Sequence, residues 1–600
     1  MPKKSSSSKT QNLDEIRHTA AHVLALAVKK MFPETKFGIG PTIDTGFYYD
    51  FDLPRTLKPE DLVQLEKSMK HIIKQNLKME KIVVPFDKAE AAAKAGGQKY
   101  KLELLQEIRS GKREIADPKT PKDSVTFYRV GDFNDLCKGG HVDSTRNIPA
   151  DALKLTHIAG AYWKGDEKRE QLQRVYGALF ATKKDLDAHL AMIEEAKKRD
   201  HRKLIKDMNL IVFSENVGPG LPLWTPKGTI VRDELENFAK ETEKKWGYQR
   251  VTTPHLAKRQ LFETSGHIPY YVDDLYPGME LDDNEYFLKA MNCPMTMEIY
   301  KSKVHSYREL PLRWAEYGTV YRYERSGVLS GLLRARGFTQ NDAHIFCTYD
   351  QAIDEFVQVM KLHKYYYGKV LGLKDFYVML SMRDPAQKNK FGGNEEEWRQ
   401  AEEMIKRAIK KSGVAYKEMV GEASFYGPKA DFQIKSATGR EETASTNQID
   451  LIMPKRFGLT YAGADGKEHP VAVIHRAPLG SHERFIAFLL EHYAGALPAW
   501  LAPVQAMVIP ISEKLNKYAS AITKILSEEN IRVELDDRNE SMGKKIREAE
   551  IQKIPYMLIV GEKEKKSKKV TIRKRGDKKQ NTASLTTFFK KLQKEIAEKK

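Results

Sequence analysis

One stretch of the chain, from Tyr321 to His344, combines residue types that could hold a nucleotide. Arg322 and Glu324 end a predicted strand, a loop with two glycines follows, and Phe338 opens an alternating apolar run that predicts a second strand. An arginine fork grips phosphate oxygens at two points, and a phenylalanine ring can stack on a base. The pattern therefore predicts an antiparallel strand pair that binds a nucleotide without a glycine-rich phosphate loop. A charged hairpin with no ligand is the alternative.

Three other residues could share a metal ion, although their spacing is not a recognisable zinc signature. Cys293 precedes a proline, His344 ends the stretch described above, and His475 lies in a short apolar run. Thiolate and imidazole are the ligands that zinc prefers. From spacing alone, however, a core cysteine and two hydrogen-bonded histidines are the more common interpretation.

A second group of chemically versatile residues lies near the N-terminus. His18 and His22 fall in residues 13–30, where apolar side chains recur at helical spacing, so both imidazoles share one helix face. Cys137 and His141 follow far downstream with the same spacing. Four such side chains could bind zinc, or they could position a water molecule that hydrolyses an ester. Histidines on a solvated helix face are the structural alternative.

The stretch 321–344 resembles motif 2 of the class II aminoacyl-tRNA synthetases, in the form found in threonyl-tRNA synthetases. Residues 228–254 fit motif 1, a helix followed by a strand that ends in a proline, and Gly480 to Arg484 fit the Gly-x-x-x-Arg of motif 3. The resemblance implies that Arg322, Glu324 and Arg484 are catalytic, with Arg322 on the α-phosphate and Arg484 on the γ-phosphate of ATP, and that Mg²⁺ accompanies the nucleotide. The ATP-binding set it implies is Arg322, Glu324, Arg334, Phe338, Gln448 and Arg484.

The same resemblance implies a zinc ion, one per subunit, held by Cys293, His344 and His475. A zinc position left open could take the amino nitrogen and the hydroxyl of threonine, whereas valine lacks that hydroxyl and serine keeps it. Valine should therefore be rejected, and serine should leak through. The implied threonine-binding residues are Gln340, Asp342, Tyr426 and Lys429. Thr446 and Gln448 also match the family, but Thr443 stands where a common family form has glutamine.

The His-x-x-x-His and Cys-x-x-x-His pairs resemble the editing domain that threonyl- and alanyl-tRNA synthetases share. The resemblance implies hydrolysis of seryl-tRNA(Thr), without metal in the threonyl branch. The implied editing residues are His18, His22, Lys101, Asp135, Cys137 and His141. Many relatives carry a small ubiquitin-like domain ahead of this block, and we expect it to be absent because only the polar residues 1–10 precede the block.

Charge points to a polyanionic partner. The 600 residues include 101 Lys and Arg against 82 Asp and Glu, a net charge of +19. Residues 501–600 contain 24 basic and 14 acidic residues, so +10 of that charge lies in this last block. Such an excess suggests nucleic acid, although a merely lysine-rich surface is the alternative. The block resembles an anticodon-binding domain, and the positions that would read anticodon bases are Asn539, Arg547, Glu564 and Arg573.

We expect a multidomain protein of α/β and α+β classes. The predicted parts are a disordered polar tail (1–10), an α+β editing domain (11–182), a linker helix (183–207), a class II catalytic domain with an antiparallel sheet (208–500) and an α/β anticodon-binding domain (501–600). Strand–helix alternation in the last part predicts a largely parallel sheet.

Cysteine content and hydropathy indicate the cellular compartment of the protein. Three cysteines favour a reducing compartment over a disulfide framework, and Cys347 is expected to be a core residue. No apolar run reaches the roughly 18 residues of a membrane span, and no signal peptide is apparent, so we expect a cytoplasmic protein. The resemblance implies a homodimer that acts on ATP, L-threonine and tRNA(Thr). A prolyl or seryl enzyme and a non-catalytic RNA-binding regulator are the rival interpretations.

Overall fold

The computed structural model describes residues 7–113, 120–121, 123–373, 376–387, 390–435, 441–577 and 579–600. The chain divides into two compact units, residues 1–193 and 194–600, and each is described by itself. Among the described residues, no helix combines the length and the apolar character needed to cross a membrane.

The first unit is built from helices and two antiparallel sheets. Its elements are α1 (Ser7–Met31), β1 (Lys36–Phe37), β2 (Thr42–Ile43), β3 (Gly46–Asp52), α2 (Pro59–Lys74), β4 (Met79–Pro85), α3 (Phe86–Ala95), α4 (Lys99–Arg109), β5 (Ser124–Val130), β6 (Phe133–Leu136), β7 (Leu153–Tyr162) and β8 (Gln171–Leu179). One sheet has the order β1-β3-β8-β7 with β2 paired to β3, and the other has the order β4-β5-β6. The predicted α+β architecture is confirmed.

Helix α1 supplies much of the core of this unit. Its residues from Ala20 to Val28 are buried against both sheets and α2, because alanine, valine and leucine cover successive faces of the helix. The helix begins at Ser7, so residues 7–10 are helical although the sequence assigned them to a disordered tail. Residues 1–6 of that predicted tail lie outside the described residues.

The charged segment 183–207 forms two helices, α5 (Lys183–Arg199) and α6 (His201–Asp207). The sequence predicted a single linker helix here, and that prediction is wrong because the helix is interrupted at Asp200. The Asp200 carboxylate accepts a hydrogen bond from the backbone N–H of Arg202 at 2.8 Å and so caps α6. An N-cap residue takes non-helical backbone angles, which interrupts the helix there. The boundary between the two units lies within α5.

The segment predicted to be the catalytic domain is organised by an eight-stranded sheet. Its elements are β9 (Ile211–Val212), β10 (Leu223–Trp224), α7 (Pro226–Lys245), β11 (Gln249–Arg250), β12 (Leu256–Lys258), α8 (Arg259–Ser265), α9 (His267–Tyr270), β13 (Met279–Leu281), β14 (Asn284–Leu288), α10 (Cys293–Lys301), β15 (Leu312–Tyr321), β16 (Gly337–Cys347), α11 (Tyr349–Lys364), β17 (Phe376–Met382), α12 (Glu395–Ser412), β18 (Tyr416–Val420), β19 (Lys429–Lys435), β20 (Glu441–Asp450), α13 (Met453–Arg456), β21 (Thr460–Ala462), β22 (Glu468–Pro470), β23 (Ala472–Ala477) and α14 (His482–His492). The sheet order is β11-β15-β16-β23-β20-β19-β17-β18.

Every pairing in this sheet is antiparallel except the two at its edges, β11 with β15 and β17 with β18. The predicted antiparallel-sheet core is thereby confirmed, and the strand–loop–strand around residues 321–344 is the pair β15–β16. The strand expected after α7 is only two residues long.

Alternation along the central strands decides which residues face the core and which face the site. Ile345 on β16 and Ile474 on β23 pack with helices α7, α11, α12 and α14. Phe346 and Val473, one position along each strand, pack in a different cluster with residues of α8 and α10. Since side chains alternate along a strand, His344 shares a face with Phe346, and His475 shares a face with Val473.

The C-terminal block consists of β24 (Ala506–Pro510), α15 (Asn516–Glu528), β25 (Val533–Leu535), α16 (Met542–Ile551), β26 (Tyr556–Val560), α17 (Glu562–Ser567), β27 (Lys569–Lys574), β28 (Gln580–Ser584) and α18 (Leu585–Ala597). The sheet has the order β25-β24-β26-β27-β28; β24 pairs in parallel with β25 and β26, and the other two pairings are antiparallel. The sheet is therefore mixed, which corrects the largely parallel sheet predicted from the sequence. The α/β class itself is confirmed.

Candidate functional sites

Cys293, His344 and His475 lie far apart in the sequence but meet beside the central strands. His344 and His475 are cross-strand partners on β16 and β23, with ring centroids 4.9 Å apart, and Cys293 begins α10. Their potential ligand atoms all lie within 4.8 Å of one another, and all three residues are buried. The order of the strands in the sheet places these three residues together, although they are far apart in the sequence.

Hydrogen bonding around this trio leaves two ring nitrogens available. His475 Nε2 lies 3.0 Å from Asp450 Oδ2, so the carboxylate favours a proton on Nε2 and leaves the Nδ1 lone pair free. Nδ1 of His475 and Nε2 of His344 are both buried and have no hydrogen-bond partner among the residues that the structure describes. Buried polar atoms normally have partners. A cation between these nitrogens and the Cys293 sulfur would provide one.

Protonation states also fit a soft cation. Burial lowers the pKa of His344 to about 4, so its imidazole is neutral at physiological pH. Burial, followed by the nearby carboxylates of Asp342 and Asp450, raises the pKa of the Cys293 thiol. A bound cation reverses that last effect, because it stabilises the thiolate directly. The donor set therefore fits zinc.

A cleft of about 290 Å³ opens beside the trio. It is lined by Cys293 and His475 together with side chains from the β15–β16 loop, β16, β19, β20 and the start of α14. Every residue that the sequence predicted for ATP or threonine lines this cleft: Arg322, Glu324, Arg334, Phe338, Gln340, Asp342, Tyr426, Lys429, Gln448 and Arg484.

Two arginines from different elements face the cleft. The Arg322 guanidinium lies 5.3 Å from the centroid of the Phe338 ring, and its Nε donates to the Ala290 carbonyl at 3.1 Å. Arg484 Nε donates to the Leu333 carbonyl at 3.1 Å. Loss of solvent in the cleft, followed by the charge of Arg322, lowers the pKa of Arg484. Two held, mutually repelling cations form a site that favours a polyanion.

Glu324 is paired in this structure. Arg334 Nε donates to Glu324 Oε2 at 2.9 Å, and Arg336 Nε donates to the Glu324 backbone carbonyl at 2.9 Å. These contacts join the start of the β15–β16 loop, residues 322–336, to its end. A nucleotide base that uses Glu324 must compete with Arg334 for its carboxylate.

The residues predicted to hold the amino acid are oriented by neighbours, and two of these, Asn292 and Ser424, were missed by sequence reasoning. Asn292 Nδ2 donates to Asp342 Oδ2 at 3.0 Å. The Tyr426 hydroxyl donates to Gln448, whose Nε2 donates to Ser424 Oγ at 2.7 Å. Of these neighbours, Asn292 could have been identified from the sequence, because it directly precedes the predicted zinc ligand Cys293.

Three further observations concern the lining of the cleft. Lys429 Nζ lies 3.1 Å from Asp431 Oδ2, and Thr446 Oγ1 donates to Asp431 Oδ1 at 2.6 Å. Thr443, the position that departs from the common family form, accepts from Gln433 Nε2 at 2.7 Å across the β19–β20 pair. His267, which sequence reasoning also missed, lines the cleft, and burial lowers its pKa to about 3.

In the first unit, the four predicted editing residues from the two His/Cys pairs come together. Cys137 Sγ lies 3.4 Å from His18 Nε2 and 3.2 Å from His141 Nε2. His22 completes the group, with its ring centroid 4.5 Å from that of His141. The potential ligand atoms of all four residues lie within 4.8 Å of one another.

A charged network supports this group. Lys101 Nζ lies 2.5 Å from Asp135 Oδ1, and His22 Nε2 lies 3.8 Å from Asp135 Oδ2. The Tyr49 hydroxyl donates to the same carboxylate. A cleft of about 760 Å³, lined by His18, His22, Lys101, Asp135 and Cys137, opens above them. Tyr49 is a participant that the sequence analysis did not identify.

Burial controls the protonation of this site. It lowers the pKa values of His18, His22 and His141, and it raises the pKa of Cys137 to about 12. All three imidazoles are therefore neutral at physiological pH and are weak bases, whereas the thiol stays protonated. Cys347 is buried in the catalytic core, as predicted.

The four predicted anticodon positions lie on separate elements of the C-terminal block. Asn539 is exposed after β25, and Arg547 is exposed on α16. Glu564 on α17 accepts from the backbone N–H of Gly561 and from the Thr571 hydroxyl, both at 2.9 Å. Arg573 on β27 donates to Glu550 at 2.7 Å, so Glu564 and Arg573 have local structural partners.

Comparison with known proteins identifies three families of domain along the chain. Residues 125–176 match the threonyl and alanyl tRNA synthetase second additional domain, residues 270–493 match the tRNA synthetase class II core domain (G, H, P, S and T), and residues 505–595 match an anticodon binding domain. Their order is that predicted from the motifs.

Relatives that match over most of their length support the same assignment. A threonine–tRNA ligase of Halalkalibacterium halodurans is 47% identical over 97% of this chain and 89% of its own length, and threonine–tRNA ligase 1 of Bacillus subtilis is 48% identical over 97% and 88%. The solved RNA binding domain of threonyl-tRNA synthetase from Cryptosporidium parvum Iowa II is 37% identical, with a TM-score of 0.62, and covers 66% of this chain and 98% of its own. The chain therefore belongs to the threonyl-tRNA synthetases of class II, a family whose function is amino-acid activation and tRNA charging.

Proposed function

We propose that this chain activates L-threonine with ATP, giving threonyl-adenylate and pyrophosphate, and transfers the threonyl group to the 3′ end of tRNA(Thr). The observation that carries the proposal is the buried Cys/His/His group, with two unpartnered ring nitrogens, at the edge of a cleft that holds two like-charged arginines. A site of this kind combines metal-assisted recognition of a small ligand with binding of a polyphosphate.

Amino-acid choice follows from the donor set. Zn²⁺ held by Cys293, His344 and His475 would supply a Lewis-acidic open position for the amino nitrogen and the side-chain hydroxyl of threonine. Asp342, oriented by Asn292, accepts from that hydroxyl, and Gln340 donates to the amino-acid carboxylate. Valine leaves Asp342 without its partner, and such a site rejects the analogue strongly. Serine differs by only a methyl group, worth about 1–3 kcal/mol, so it is admitted.

Adenylate formation needs positioned positive charge. A carboxylate oxygen of threonine forms a bond to the α-phosphorus of ATP, and the bond from that phosphorus to pyrophosphate breaks. Arg322 holds the α-phosphate, Arg484 holds the γ-phosphate, and Mg²⁺ would screen the triphosphate. Phe338 stacks on adenine, and Glu324 accepts from the adenine amino group once Arg334 turns from it toward phosphate.

The first unit hydrolyses mischarged seryl-tRNA(Thr). Four of its six imidazole nitrogens have protein partners: those of His18 contact Gly140 and Cys137, and those of His141 contact Thr19 and Cys137. Among the described residues, Nδ1 of His22 is the one ring nitrogen of this group that is buried without a hydrogen-bond partner. The group of Cys293, His344 and His475 has two such nitrogens, so the partnered imidazoles of the first unit favour a metal-free site there. The group positions a water molecule: the water oxygen forms a bond to the seryl carbonyl carbon, the bond from that carbon to the 3′-terminal ribose oxygen breaks, and the proton lost by the water passes to the ribose oxygen.

The remaining parts complete the assignment. The basic C-terminal block binds the anticodon stem through phosphates, with base contacts from Asn539, Arg547, Glu564 and Arg573. We assign a homodimer joined through the motif 1 region, α7 and β11, and a cytoplasmic location. Three unpaired cysteines are consistent with that compartment.

Charging of a tRNA(Thr) transcript tests this function. With ATP, Mg²⁺ and radiolabelled threonine, we expect stable threonyl-tRNA, and we expect a transcript with an altered anticodon to be charged at least about tenfold less efficiently. The matched control is the same transcript with labelled valine, which should not be charged. Charging of tRNA(Ser) with serine or tRNA(Pro) with proline would contradict the assignment, and ATP binding without turnover would favour a non-catalytic RNA binder.

A further inference from the structure

A buried histidine of α6 contacts the β15–β16 loop at its inner turn. His201 is 2% exposed, and its Nε2 accepts a hydrogen bond from the backbone N–H of Leu332 at 3.2 Å. Leu332 is itself buried. Gly331, at φ +51°, lies so close that a Cβ there would sit 2.5 Å from His201 Nε2. The backbone of the loop is therefore seated directly on the imidazole.

Both nitrogens of His201 are engaged. Nδ1 lies 2.7 Å from Glu491 Oε1, on the last turn of α14, so Nδ1 carries the proton and donates to the carboxylate. Nε2 then offers its lone pair to Leu332. Asp200, His201 and Glu491 have the residue types and proximity of a metal site, but no imidazole lone pair remains for a metal. The group is a hydrogen-bonded link between α14 and the loop.

The link leads to Arg484. One residue beyond Leu332, the Leu333 carbonyl accepts from Arg484 Nε at 3.1 Å, and Leu333 lines the cleft. Arg484 lies on the first turn of α14, and Glu491 lies on its last turn. The loop is thus joined to α14 twice, through His201 at one end of the helix and through Arg484 at the other.

We propose that His201 is a positioning residue for ATP: it fixes the segment Gly331–Leu333, and through the Leu333 carbonyl it holds Arg484 in place for the polyphosphate. The inference rests on the proposed function, because that function places Arg484 on the γ-phosphate. Without the imidazole acceptor the buried Leu332 N–H lacks a partner, and the segment shifts to find one. The amino-acid pocket lies on other residues and does not depend on this link.

Steady-state ATP–pyrophosphate exchange separates this role from simple packing. We expect His201→Leu to raise the KM for ATP about tenfold while the KM for threonine changes less than about twofold. His201→Gln can present Oε1 near the position of Nε2 and accept from Leu332, so it should return the KM for ATP to within about threefold of the wild type. His363→Leu is the matched control.

His363 suits that purpose because it is equally buried. Within the described part of the chain its Nδ1 bonds only inside its own helix, to the Val359 carbonyl at 2.9 Å. Its substitution should lower the melting temperature without a selective change in the KM for ATP. If His201→Leu does not melt cooperatively, Glu491→Ala replaces it. That variant frees the imidazole from its anchor and should raise the KM for ATP about threefold.

Calorimetric titration with ATP alone separates failure of this proposal from failure of the proposed function. If the wild type exchanges with threonine but no variant alters the KM for ATP, the role of His201 is overturned and the function stands. If the wild type shows no exchange with threonine, the function fails, and the ATP dissociation constants decide about His201. A roughly tenfold weakening in His201→Leu supports the proposal, and equal affinities overturn it.

Discussion

Replacing Cys293 by alanine should remove zinc and threonine activation together. The two remaining ligands, His344 and His475, cannot complete a four-coordinate site that also leaves a position open for substrate. We expect zinc below about 0.1 per chain and a fall of at least about 1,000-fold in kcat/KM for threonine in pyrophosphate exchange. Metal analysis by mass spectrometry and the exchange assay on the same sample measure both effects.

Cys347→Ala is the control for this variant. Cys347 is also buried and lies on β16, but it packs in the core on the opposite face of the strand from His344. Its substitution should cost about 1 kcal/mol of stability and leave both zinc content and exchange unchanged. Stoichiometric zinc in Cys293→Ala, or loss of zinc in Cys347→Ala alone, would contradict the assignment of the ligands.

Replacing His141 by alanine should leave threonine activation intact and disable editing. The imidazole lies 3.2 Å from Cys137 Sγ and 3.3 Å from the Thr19 hydroxyl, so it joins the two sides of the group, and burial lowers its pKa and keeps it neutral. We expect deacylation of seryl-tRNA(Thr) to fall at least about 100-fold, because loss of a group that positions the attacking water can cost that much. Release of labelled serine from preformed seryl-tRNA(Thr) measures the loss.

The matched control is His71→Ala, an exposed histidine of α2 in the same unit, which should deacylate seryl-tRNA(Thr) at the wild-type rate. Unchanged deacylation in His141→Ala would show that the four-residue group is structural. A second zinc per chain that disappears only in His141→Ala would overturn the metal-free part of the proposal and favour a metal-dependent site.

The elements with strong apolar periodicity were predictable from the sequence. Alternation from Phe338 onward predicted β16, and apolar spacing along residues 13–30 predicted most of α1. The short helix α17 and the strand β28 were not predicted, because both segments are polar and lack apolar periodicity. The break at Asp200 was detectable in principle, since aspartate is a favoured N-cap residue.

The chemistry of the sites was only partly visible in the sequence. Residue types suggested zinc ligands, but their long separation left a core interpretation open until the sheet order placed His344 opposite His475. The carboxylate that orients His475, Asp450, lies on a neighbouring strand and has no local signature. Tyr49 and His201 were missed for the same reason, because the contact of each is with a residue on a distant element. Tyr49 contacts Asp135, and His201 contacts Leu332.

Amino-acid-dependent ATP–pyrophosphate exchange with threonine, serine and valine, with zinc measured on the same sample, tests the central claim most directly. The account predicts strong exchange with threonine, weaker exchange with serine, none with valine, and about one zinc per chain. Equal exchange with threonine and valine would contradict recognition of the hydroxyl at the Cys293, His344 and His475 site. Absence of exchange with all three amino acids would contradict the threonine assignment itself.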